Sequence, residues 1–141
     1  MEGELNRDMS TILLIEIDPF TRDKIRTALG DTDHRLIEAG DGEVGLTYFR
    51  SHNPDLVLTE VSLPGRGGLE VIAEILAARP QTKVFAFSLP SRNARVDLLD
   101  TAKRLGATRT FSKPIDAQEL GEAIQDELRS DEPPTRHQLD P

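Results

Sequence analysis

The chain has 141 residues, 37% of them apolar and 30% charged, with a net charge of −8 and a pI near 4.9. That length suits one domain with a proper core rather than two, and no apolar run approaches the roughly 20 residues that a membrane-spanning helix needs. The acidic balance argues against sequence-independent nucleic-acid binding, which requires a basic surface, and the lack of cysteine excludes disulfides and thiolate metal sites.

Met1 to Ser10 shows no periodicity and no apolar signal-peptide core, so residues 1–9 are expected to be a flexible lead-in and the location cytoplasmic. Thr11 to Ile17 (TILLIEI) is a branched apolar run, a buried strand. Asp18-Pro19 starts a helix, with Asp at the N-cap and Pro in the first position. It runs to about Leu29, with Phe20, Ile25, Ala28 and Leu29 expected inside and Gly30 as its stop. Residues 34–39 make a shorter second strand. Asp41-Gly42 opens a helix through about Ser51, with Val44, Leu46, Tyr48 and Phe49 apolar, and Asn53-Pro54 ends it. Leu56, Val57 and Leu58 are too short a run for a helix and form a third strand stopping at Glu60. Pro64, Gly65, Gly67 and Gly68 then force a loop. Leu69, Ile72, Ala73 and Leu76 follow at helical spacing, to about Arg79-Pro80. Lys83 to Ser88 is the fourth strand. A helix from about Arg92 to Leu105 is expected to bury Val96, Leu98, Leu99 and Ala102. Residues 108–112 form the fifth strand, ending at Lys113-Pro114. The last helix, about Ala117 to Leu128, carries Leu120, Ala123, Ile124 and Leu128 on one face.

Strands alternating with helices, without a repeat, imply βαβ units. The fold class expected is α/β, a (βα)5 doubly wound five-stranded parallel sheet of the flavodoxin-like type, spanning residues 10–129. Residues 130–141 are polar and proline-rich and read as a disordered tail or linker. In such sheets ligands bind beyond the carboxyl ends of the strands. Glu16, Asp18, Glu60, Ser88 and Lys113 all fall there, an acidic cluster with a lysine and a hydroxyl, which suits Mg²⁺ and a phosphoryl group. Other motifs are weak. Gly65-Arg66-Gly67-Gly68 lacks the spacing of a nucleotide-binding loop, and His34, His52 and His137 lie in unrelated segments. An enzyme on the same architecture would need a nucleophile–base pair, and no such pair is apparent.

The stretches ILLIEIDP, PDLVLTEVSLPGRGGLEVI, the strand ending at Ser88 and GATRTFSKP resemble the receiver domains of two-component response regulators over about residues 10 to 129. The resemblance implies a metal-binding acidic pair after the first strand and an aspartate at the end of the third that accepts phosphate from a histidine kinase. A hydroxyl and a lysine sense that phosphate. Ser88 and Lys113-Pro114 match this pattern, and Glu16 takes the first place of the acidic pair. Four positions depart. Ile17 stands where a carboxylate should ligate Mg²⁺, and an alkyl group cannot coordinate a hard cation. Glu60 replaces the phosphoacceptor, one methylene longer. Leu89 follows the hydroxyl where a small residue leaves access, and Thr110 holds the aromatic switch position, with Phe111 beside it expected in the core.

The resulting expectation is a degenerate receiver, not an enzyme, without a cofactor or metal, with Glu60 paired to Lys113 and able to accept from Ser88. It would act through a protein partner or as a homodimer, using the last two helices and the strand between them. Direct nucleic-acid or membrane binding is not expected. The alternative is a working phosphoacceptor, with Glu16 and Asp18 rescuing Mg²⁺ and a histidine kinase as donor.

Overall fold

Five runs of branched and aromatic residues become the five strands of one parallel sheet, and the apolar stripes between them become the helices that cover it. The structure, a computed structural model, describes residues 9–63, 65–90 and 97–129. The elements are β1 (Thr11–Ile15), α1 (Pro19–Leu29), β2 (Arg35–Ala39), α2 (Gly42–His52), β3 (Leu56–Glu60), α3 (Gly68–Ala78), β4 (Lys83–Ser88), α4 (Leu98–Leu105), β5 (Arg109–Ser112) and α5 (Ala117–Arg129). The strand order is β2-β1-β3-β4-β5, every pairing parallel. The doubly wound α/β class read from the sequence is the one found.

Alternation along the strands sorts the core into two halves. Leu13, Ile15, Val57, Val84 and Ala86 pack with Leu46 and Phe49 of α2, Val71, Ile72 and Ile75 of α3, and Ala102 of α4. Ile12, Leu14, Leu56, Leu58, Phe85 and Phe87 face the other way, onto Ile25 and Leu29 of α1 and Leu120, Ala123, Ile124 and Leu128 of α5. Phe111 joins this second half, its ring 5.4 Å from that of Phe85. Aspartates start four helices: Asp18, Asp41, Asp97 and Asp116 each accept a backbone N–H of the first turn. Such a cap stabilises by roughly 1 kcal/mol.

Two glycines allow close approaches that fix the layers. At Gly68 a Cβ would collide with the Glu60 carbonyl, so the start of α3 sits directly on the end of β3. At Gly121 a Cβ would lie 2.9 Å from the Ala28 carbonyl oxygen, so α5 crosses α1 backbone to backbone. The far end of α5 is held by charge. Glu127 accepts Arg109 Nε of β5 at 3.0 Å and Lys83 Nζ of β4 at 3.1 Å. Burial pushes its carboxyl up, but the two cations outweigh that and hold it below the usual glutamate value.

Several expected boundaries and faces are corrected. β1 stops at Ile15, and Glu16 and Ile17 lead from it to Asp18 at the head of α1, with Ile17 left 58% exposed. Phe20 is 81% exposed: the buried stripe of α1 is Thr21, Ile25 and Leu29, and Phe20 lies one residue out of phase with it. Ala28 is half-buried. On α2, Val44 is exposed and Tyr48 half-buried. On α3 the buried residues are Gly68, Val71, Ile72 and Ile75, while Leu69 and Leu76 flank them and Ala73 faces solvent. Ala102 is the buried residue of α4, with Leu98 and Leu99 partly covered. The expected start of that helix at Arg92, the burial of Val96 and the flexible lead-in and tail concern residues outside those described, apart from Met9, which is exposed.

Candidate functional site

The register of the sheet brings the ends of β1, β3, β4 and β5 to one edge, and each delivers a polar side chain or backbone group there. Glu16 follows β1. Its own N–H continues the ladder to the Ala39 carbonyl at 2.9 Å, and its carbonyl accepts Arg22 Nε from α1, so its backbone is held on both sides. The side chain is 1% exposed. Oε2 accepts the Asp18 N–H at 3.0 Å, and Oε1 lies 2.7 Å from Lys113 Nζ.

Glu60 closes β3 and is 5% exposed. Its Oε1 lies 2.5 Å from the same ammonium, and its Oε2 accepts the Ser62 N–H at 2.9 Å. The expected Glu60–Lys113 pair is therefore present, and it has a third member in Glu16. Lys113 leaves β5 through a cis bond to Pro114, its backbone N–H fixed by the Ser88 carbonyl at 2.8 Å. Burial opposes its charge, but contact with Glu16 and Glu60 outweighs that and raises the ammonium above the ordinary lysine value. Two carboxylates around one ammonium leave this triad a formal net charge of −1. Removing one member of a buried pair strands the other's charge, at a cost of about 3–5 kcal/mol.

Three residues named from the sequence stand apart from this triad. Asp18 turns to its own helix: Oδ2 accepts the Thr21 hydroxyl at 2.8 Å and the Thr21 N–H at 3.2 Å. That hydroxyl is the main reason its carboxyl lies below the usual aspartate value, with backbone N–H groups and the Lys113 charge adding to it. Ser88 is buried at the end of β4, yet among the described residues its hydroxyl makes no hydrogen bond to Glu60, contrary to expectation. Thr110 sits half-buried in β5 opposite Ala86. Sequence reasoning missed the Ser62 N–H and Arg22. A backbone donor carries no side-chain signal, and Arg22 acts on a carbonyl six residues upstream.

Residues 12–125 match the response regulator receiver domain. The chain belongs to that family. Among curated relatives, the transcriptional regulatory protein AfsQ1 of Streptomyces coelicolor is 33% identical over 124 residues, which cover 88% of this chain and 53% of AfsQ1. This chain thus spans about half the length of that relative. The chemotaxis protein CheY of Listeria monocytogenes is 29% identical over 118 residues, 83% of this chain and 97% of CheY. Among solved structures, a CheY-like receiver domain protein from Methanospirillum hungatei superposes with a TM-score of 0.77 at 21% identity, covering 88% of this chain and 97% of that one.

Receiver domains imply Mg²⁺ at this edge, and the donor set here does not fit it. Mg²⁺ demands near-octahedral oxygen ligands. Each buried carboxylate already has one oxygen on a backbone N–H and the other on Lys113. Ile17 offers no oxygen from its side chain, and Asp18 turns its Oδ2 to Thr21. Among the described residues, no group of three or more His, Asp or Glu is placed to hold a metal ion.

Proposed function

We propose that this receiver domain signals by protein association without being phosphorylated, Glu60 standing where the phosphoacceptor would be. The observation that carries the reading is the Glu60 carboxylate joining Lys113 at 2.5 Å to the Ser62 N–H at 2.9 Å. A cation and a backbone donor at one anion are what a transferred phosphoryl group would use. Here a permanent carboxylate holds both, with −1 charge against the roughly −1.5 to −2 of a phosphoryl group. In-line transfer depends on positioning and on neutralising charge. A nucleophile turned onto an ammonium and a backbone N–H, beside a donor set that does not suit Mg²⁺, meets neither need.

On this reading Glu16, Asp18, Glu60, Ser88 and Lys113 are an acceptor pocket without acceptor chemistry, and Thr110 leaves the usual aromatic readout unfilled. The output is the surface of α4, β5 and α5, where Lys103, Arg104 and Arg109 mix with Asp100, Asp116, Glu119 and Glu122. Mixed charge selects partners by complementarity, and a protein or a second copy of this chain docks there. The domain works in the cytoplasm, without contacting nucleic acid or membrane.

The test is a ¹⁵N-detected titration with beryllofluoride, a phosphoryl mimic, in the presence of Mg²⁺. Signals around Glu60, Ser88 and Lys113 are expected to stay in place. Saturable, Mg²⁺-dependent shifts there would overturn the reading in favour of a working phosphoacceptor served by a histidine kinase. Loss of self-association or partner capture in Glu60→Gln would tie the carboxylate to the output surface.

A further inference from the structure

We propose that Lys113 is the resident cation of this site, a tethered ammonium that takes the place of a divalent metal and makes the domain indifferent to one. The inference rests on the reading above and adds its cause: the missing ligand at Ile17 is only part of the loss, and the centre of the site is already filled.

The geometry points to this in three ways. First, the ammonium lies between two carboxylates from different strands, 2.7 Å from Glu16 Oε1 and 2.5 Å from Glu60 Oε1. Glu16 Oε1 is fully buried with no donor aligned on it as a hydrogen bond, so the charge of Lys113 is what neutralises it. Second, the outer oxygens are tied back. Glu16 Oε2 is held by the Asp18 N–H and Glu60 Oε2 by the Ser62 N–H, which aims both inner oxygens at one point. A spherical cation would be gathered in the same way. Third, a divalent ion added beside the ammonium would bring two cations within a few ångströms of each other, where repulsion is steep in a site of low dielectric.

Tethering also changes what the cation does. A metal ion exchanges with solvent, so a metal-loaded site reports ionic conditions. Lys113 is part of the chain, and its ammonium joins the ends of β1, β3 and β5, of which β1 and β5 are not neighbours in the sheet. The tie therefore holds whatever the divalent ion concentration.

Melting temperatures of the wild type and of Lys113→Arg and Lys113→Met, each in EDTA and in millimolar Mg²⁺, test this, with Mn²⁺ broadening of amide signals as a second readout. Wild type and Lys113→Arg are expected to melt at the same temperature with and without Mg²⁺, and Mn²⁺ is expected to leave Glu16 and Glu60 sharp. Lys113→Met strands two facing carboxylates and should melt lower by on the order of 10 °C in EDTA. Part of that loss should return with Mg²⁺. If Lys113→Met does not fold, retention of the fold and of metal indifference in Lys113→Arg supports the same conclusion through charge. Saturable Mn²⁺ broadening at Glu16 and Glu60 in the wild type overturns the proposal, as does a Lys113→Met protein as stable in EDTA as the wild type. Mn²⁺ binding without a beryllofluoride response would sink this inference alone and leave the phosphorylation-independent reading standing.

Discussion

Phe20 and Thr21 show at the residue scale how a sequence can mislead by one position. An aromatic at the head of a helix invites burial, yet the stripe that meets the sheet is set by Ile25 and Leu29, and a step of four back from Ile25 lands on Thr21. Thr21 is buried because its hydroxyl is satisfied by Asp18, which removes the penalty for hiding a polar group. Phe20 is left in solvent. Truncating it to Ala should change stability by no more than about 0.5 kcal/mol, whereas Ile25→Ala, in the core, should cost about 2–5 kcal/mol. Chemical denaturation of the two variants checks the contrast, and a Phe20→Ala cost as large as that of Ile25→Ala would place Phe20 back in the packing. The same scale explains the site. Glu60 and Lys113 were legible because each stands at the carboxyl end of a strand, Glu60 closing β3 and Lys113 following β5. The role of Glu16 as a second partner was not, since its family position suggests a metal ligand. Ser88 was expected to reach Glu60, but the glutamate's oxygens turn to Lys113 and the Ser62 N–H instead.

At the scale of elements, periodicity gave the helices more surely than their faces. α3 (GLEVIAEILAA) is apolar over most of its circumference, so several phases of burial fit its sequence equally well. The contact of Gly68 with the end of β3 decides which one wins. α5 has a single apolar stripe and was readable to the residue. Its far end carries a device with a pH signature. Glu127 has a lowered carboxyl pKa in the folded state, so it binds its proton less readily there than in the unfolded chain. The stability it contributes is present above the ordinary glutamate value near 4.5 and is lost as pH falls through the lower folded value. Glu127→Gln should therefore melt below the wild type at neutral pH, and the gap should narrow as the solution is acidified below that value. Melting curves across pH decide this, and a gap independent of pH would mean that packing, not charge, holds α5 to β4 and β5.

For the whole molecule, topology was the most legible feature, because strict alternation of short apolar runs with helical stripes leaves few arrangements of a parallel sheet. What alternation cannot carry is the state of the site, since one scaffold hosts many functions. On the function proposed for this domain, that state turns on a few atoms: one added methylene at Glu60, one alkyl group at Ile17 and an ammonium drawn inward. The buried ammonium also has a practical consequence for acylation chemistry. Of the four lysines, Lys24 and Lys103 face solvent, while the side chains of Lys83 and Lys113 are 20% and 11% exposed. An amine must be both reachable and unprotonated to attack an activated ester, and Lys113 is neither. Under native conditions it should be the last of the four to be labelled, as read by peptide mass spectrometry. Equal labelling of all four would contradict the ion triad. The fraction of Lys113 that does react would then be a clock for how often the three strand ends part.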